Sequence, residues 1–207
     1  MTENGAPGWI ETIAKAVVTS VPFVGGPLEV IISDIRARRA AKAAEFLERI
    51  SRSQNERDFL ERLKTDARLE CIFVEAVETA IKTSLDSKRR VLANAVSDAS
   101  LNPDRIDASE LIVDTLSELD VRHVRALSLL SDEWDTLTLS PTHLPGAGTS
   151  AIWQELPAPT RAALVRTGTG KATPSTIVIS SDPRRSDGIT DFGLELVVLL
   201  RAEGWRP

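Results

Sequence analysis

From about residue 27 to residue 133, apolar side chains recur at helical spacing with only short breaks. Nothing else in the chain limits its fold as strongly, because a period of 3.6 residues suits helices and cannot hold one face of a strand. The pattern predicts a short amphipathic helix over 9–20, with Trp9, Ile10, Ile13 and Val17 on one face, and a turn at 21–27 built on Pro22, Gly25, Gly26 and Pro27. A long helix follows over 27–51, with Leu28, Ile31, Ile32, Ile35, Ala43, Phe46, Leu47 and Ile50 as its stripe. After Ser53-Gln54-Asn55 a third helix is predicted over 56–84. Its Cys71-Ile72-Phe73-Val74 run is apolar nearly all round, which predicts burial on several sides and an inert, buried Cys71. Further helices are predicted over 86–98, over 108–118 and over 121–133. Asp107-Ala-Ser-Glu110 has the spacing of a capping box, and Asp120 is placed to cap the helix that follows it. The short breaks imply antiparallel neighbours in a bundle of about six helices.

Charge narrows the classes of function. The chain of 207 residues has 25 basic and 30 acidic side chains, a formal net charge of -5. Residues 101–145 hold 3 basic and 9 acidic side chains, so a generally basic nucleic-acid binder is disfavoured, while local basic patches stay open. One Cys and two His cannot supply a zinc finger, and no cofactor or metal is expected. Phosphate-loop spacing fails at Gly168-Thr-Gly170-Lys171, where Val165 and Ala172 occupy the positions of the first Gly and the Ser or Thr, so a flexible turn is expected there. His123 reads as a residue near a helix cap, His143 has no evident partner, and Asp132, Glu133 and Asp135 read as an acidic helix end. No nucleophile–base or metal-ligand pattern stands out, so a non-enzymatic protein is expected. No basic leader or long apolar run is present, which fits a cytoplasmic protein.

Composition shifts at 136–149, which is uncharged and rich in Pro, Gly, Ser and Thr. This stretch reads as a linker between a bundle over 1–135 and a tail over 150–207. In the tail the order is a helix over 158–167, a strand over Thr176–Ser180, a basic turn over 182–188, a short strand from Ile189 and a helix over 192–202. The segment Gly188-Ile-Thr-Asp-Phe-Gly193 through Leu200 resembles the close of a winged-helix module, in which a wing strand leads into a Thr-x-x-Gly helix start. The resemblance implies a mainly α fold with a small α+β winged-helix-like module at the C-terminus. It also implies that Arg184 and Arg185 stand at the wing tip, and that Arg161 and Arg166 lie on the neighbouring helix, where such cations meet nucleic acid or a partner. The layout of helical body and terminal winged-like piece resembles that of many bacterial proteins, without a closer family.

Two basic clusters complete the candidates. Arg36, Arg38, Arg39 and Lys42 share one helix, and Lys88, Arg89 and Arg90 crowd the first turn of another, against its dipole. Both are read as anion contacts. The expected function is that of a binding or regulatory protein acting through a protein partner or a homo-oligomer, with nucleic acid as a further partner of the tail. A membrane-associated effector using residues 9–35 is the alternative, Trp9 and Phe23 suiting an interface.

Overall fold

The computed structural model describes residues 28–139, 150–172 and 188–207. The expected helix over 9–20, the turn at 21–27 and the strand over 176–180 lie outside the described residues, as do Arg184 and Arg185. Among the described residues the fold is mainly α, with one small two-stranded sheet near the C-terminus. The chain divides into two compact units, Met1–Asp114 and Thr115–Pro207. That division lies upstream of the uncharged stretch at 136–149.

The first unit holds α1 (Leu28–Ser53), α2 (Glu56–Thr65), α3 (Ala67–Lys82), α4 (Asp86–Leu101) and most of α5 (Ile106–Glu118). A single 3-10 turn, Pro103–Arg105, leads into α5. The expected helix over 56–84 is two helices. Asp66 adopts an extended conformation between them, and its carboxylate accepts hydrogen bonds from the Arg68 and Leu69 N–H groups at 3.0 and 3.1 Å. The same residue ends α2 and opens α3, which a continuous apolar stripe through Leu63 and Ala67 conceals. Asn55 caps α2 in the same way, through Arg57 N–H and Asp58 N–H.

Phe46, Leu47 and Ile50 of α1 meet Phe59 of α2 and Leu69, Ile72, Phe73, Ala76 and Val77 of α3 in the core, all buried. Phe73 stands between two rings, 6.4 Å from Phe46 and 5.7 Å edge-on to Phe59. The most enclosed helix is α4, not the Cys71 region: Ala93, Ala95 and Ala99 with Ser87, Ser97 and Ser100 are buried beside Val91, Leu92 and Val96. Small side chains let neighbouring backbones approach it closely. Cys71 and Val74 face outward instead, with only Ile72 and Phe73 of that run buried. An apolar run of four residues covers a full helical turn, so some of it must face away from a one-sided core.

Side-chain bonds fix how α1 and α4 run. Arg89 of α4 donates to Glu45, Arg49 donates to Asn94, Ser53 donates to Ser97 and Ser100 donates to Gln54, at sequence separations of 44, 45, 44 and 46. A near-constant separation means that the two helices run parallel, so α3 between them in sequence returns antiparallel.

The second unit is built on α6 (Val121–Leu139), with α7 (Ala151–Glu155), α8 (Ala158–Arg166), β1 (Gly170–Lys171), β2 (Gly188–Ile189) and α9 (Asp191–Ala202). Val124, Leu127 and Leu130 of α6 are buried with Trp153, Leu164, Ile189, Leu196, Val197 and Leu200. Ile189 does lie in a short strand, and it pairs antiparallel with Gly170, in a segment expected to be a flexible turn. Gly168, at φ +70, ends α8 by donating to Val165 O, and Thr169 is fully buried. Those glycines therefore terminate a helix and start a strand, with no loop left to cradle phosphate. Thr190 caps α9, its hydroxyl accepting from Gly193 N–H at 3.0 Å. A Cβ at Gly193 would stand 2.3 Å from Thr169 O, which explains the glycine of the Thr-x-x-Gly start. At the other end of α9, Gly204 N–H donates to Arg201 O and Trp205 N–H donates to Leu200 O, the two bonds of a Schellman motif.

Candidate interaction surface

The two basic clusters have different environments. In α4, Lys88 and Arg89 are buried and Arg90 is half-buried. Arg89 donates to Glu45 Oε2 at 3.0 Å and to Asp86 Oδ1 at 2.7 Å, with 8% of its side chain exposed. The anion that offsets the unfavourable helix-start position of Arg89 is therefore internal, one carboxylate from α1 and one from its own first turn. Arg89 is held near anions as the sequence suggests, and those anions are carboxylates of the chain itself. Lys88 and Arg90 are also engaged within the molecule.

On α1 the cations separate. Lys42 Nζ donates to Thr83 O at 2.6 Å and Ile81 O at 3.3 Å, so it satisfies the last carbonyls of α3 and complements its dipole. Arg38 and Arg39 are exposed, and Arg38 Nε reaches only the Asp34 carbonyl of its own helix, at 3.3 Å. Arg36 is half-buried and engaged. From Ser33 to Lys42 no residue is buried, and Ala43 is the first that is. Helix length explains this. The 26 residues of α1 span about 39 Å, whereas the 16 residues of α3 and of α4 span about 24 Å each. Lys42 marks the level of the α3–α4 turn, and the helix continues past it as an arm. Ile35, on the stripe that later carries Phe46, is 39% exposed there.

In the second unit, Arg166 Nε donates to Glu118 at 2.6 Å, so this cation of the expected tail site is paired with an acid. Arg161 is half-buried on the same helix. The acidic end of α6 is likewise engaged. Asp132 accepts from Arg201 at 2.6 Å, and Glu133 accepts from Ser150 Oγ and from Ala151 N–H at 3.0 Å, which caps α7. At the start of α6, Asp120 accepts from the N–H groups of Arg122 and His123, while its own N–H donates to His123 Nδ1 at 3.0 Å. This is a reciprocal capping box with His in place of Glu. Partial burial works against ionisation of Asp120, but the Arg122 guanidinium and the His123 and Arg122 N–H groups outweigh it and hold the carboxyl below its ordinary range.

The expected capping box at Asp107 does not form. Pro103–Arg105 has already begun the turn, and the Asp107 and Glu110 carboxylates both bind Arg68 of α3 instead, holding that guanidinium above its ordinary range. Sequence reasoning missed Lys42 as a cap, Glu45 as the partner of Arg89 and the outward face of Cys71 and Val74. Only the i,i+3 spacing of Lys42 and Glu45 hints that they share a face.

Among the described residues, no group of His, Cys, Asp and Glu is placed to hold a metal, and no helix is long and apolar enough to cross a membrane. Comparison with protein-family models, with curated proteins and with solved structures finds no match.

Proposed function

We propose that this chain is a non-enzymatic binding or regulatory protein that acts through protein–protein contact of its helical body. The observation that supports this most is the arm of α1, where an exposed Ile35 and the exposed Arg38 and Arg39 lie on a helix with no buried residue from 33 to 42. Exposed apolar and basic side chains on one helix segment suit a partner surface that is apolar and acidic. The winged-helix resemblance adds nucleic-acid contact by the tail as a second action, through Arg161, Arg184 and Arg185.

Quantitative capture with the full chain as bait tests the first action. A partner retained by the native chain and lost from an R38E/R39E variant supports the arm, and identical partner profiles overturn it. Fluorescence anisotropy with mixed-sequence duplex DNA at low and moderate salt tests the second. Saturable, salt-sensitive binding that weakens in R161A/R184A/R185A supports it, and no binding at low salt removes it.

A further inference from the structure

We propose that the α1 arm docks on the outward face of α3 of a second copy of this chain. The inference rests on the reading of the arm as a protein-contact element and names its partner.

Two stripes in the first unit carry it. On the arm, Ile35 and Arg39 lie four residues apart on the line that continues through Ala43 and Phe46, and both are exposed. On α3, Ala67, Cys71, Val74 and Glu78 recur at i, i+4, i+7 and i+11 and are all exposed, Val74 at 49%. Glu70 and Glu75 flank that line and are exposed as well. One stripe is apolar with cations, and the other is apolar with carboxylates. Between Ser33 and Ala41 the exposed charges are Arg38 and Arg39 against Asp34, whereas Glu70, Glu75 and Glu78 supply three carboxylates against Lys82, which pairs with Glu78 at 3.0 Å.

One chain cannot bring these stripes together. The C-terminal end of α3 meets α1 at Lys42, and α3 runs antiparallel to α1, so Val74 and Cys71 lie progressively further from the arm. The α3 face therefore has to come from another copy. Reciprocal exchange, each arm on the α3 of the other copy, closes as a two-fold pair and leaves no open end for further growth. Like arms would repel if packed on each other, so the charge pattern favours arm on face over arm on arm.

Sedimentation velocity of the full chain across a concentration series tests this. A dimer is expected at low salt that weakens as salt rises, because its ion pairs are rim-exposed. R38E/R39E and E70K/E75K are each expected to raise the dissociation constant about tenfold or more, and combining the four substitutions is expected to restore most of the loss. As a second measurement, Cys71 is the sole native cysteine, so an I35C variant under mild oxidation is expected to give a covalent dimer joining positions 35 and 71. A chain that stays monomeric overturns the inference, as does a dimer unmoved by the charge reversals or linked only through position 71. If the chain is monomeric while capture of another partner still depends on Arg38 and Arg39, the second copy is wrong and the arm's contact role stands.

Discussion

At Asp120 one carboxylate serves four donors, and its ionised form is favoured in the folded chain by Arg122 and by the first N–H groups of α6. Because its folded pKa lies below the ordinary value near 3.9, this group stabilises the fold above about pH 4, and the contribution is lost as pH falls through the lower folded value. D120A is expected to cost about 0.5–2 kcal/mol at neutral pH. In urea melts the gap between variant and native chain should narrow as the solution is acidified. A gap that is constant with pH would show that ionisation of Asp120 contributes nothing. The same box assigns a tautomer. With Nδ1 accepting from Asp120 N–H, the neutral imidazole of His123 carries its proton on Nε2, and long-range nitrogen–proton correlation spectra should show the Nε2–H form. Gly193 is a steric case. A methyl group 2.3 Å from Thr169 O has to displace backbone, so G193A should cost at least about 2 kcal/mol, read as a lower urea midpoint. Asp120 and the Thr190 cap were legible in sequence because a cap is local. The close approach at Gly193 was not, since Thr169 lies far from it along the chain.

At the scale of elements, helix phase was legible and helix ends were only partly so. Of the stripes read from spacing, Ala43, Phe46, Leu47 and Ile50 of α1, Ile72, Phe73, Val77 and Ile81 of α3 and Val124, Leu127 and Leu130 of α6 are buried, while Ile35, Ala67, Cys71 and Val74 are exposed. The break at Asp66 was hidden because α2 and α3 keep the same apolar rhythm across it, although an Asp with free N–H groups two and three residues ahead is the local signal. The β1 strand was hidden for another reason: two residues of Gly and Lys have no strand propensity of their own, and pairing with β2 alone makes them a strand. The polar line between α1 and α4 depends on tertiary contact as well. Arg89 on that line is strongly buried, and its Nη1 is already without an acceptor among the described residues, so losing the α1 carboxylate should be felt. E45A is expected to cost about 1–3 kcal/mol, as for a hydrogen bond to a charged group, while E45Q should recover part of it by keeping an acceptor. Equal thermal midpoints for E45A and the native chain would contradict this account of the cation-rich helix start.

For the whole molecule, the helical character and the small sheet near the C-terminus could be read from the sequence, and the candidate site mostly could not. Of the cations singled out, Arg89 and Arg166 are held by carboxylates, while Arg38 and Arg39 remain exposed on a helix that outruns its neighbours. Spacing cannot reveal that difference, because it depends on where α3 and α4 stop. The exposed α3 face was obscured for a related reason: an apolar run shows that burial is available without showing on which side a neighbour stands. On the proposal made above, the arm of α1 is a contact surface covered by the α3 face of a second copy. Hydrogen–deuterium exchange of the full chain at rising concentration tests it most directly, since it reads both faces at once. Amides over 33–41 and 70–78 should slow together as concentration rises, with those around Ile50 unchanged. Exchange over both segments that stays the same across the series would contradict the claim.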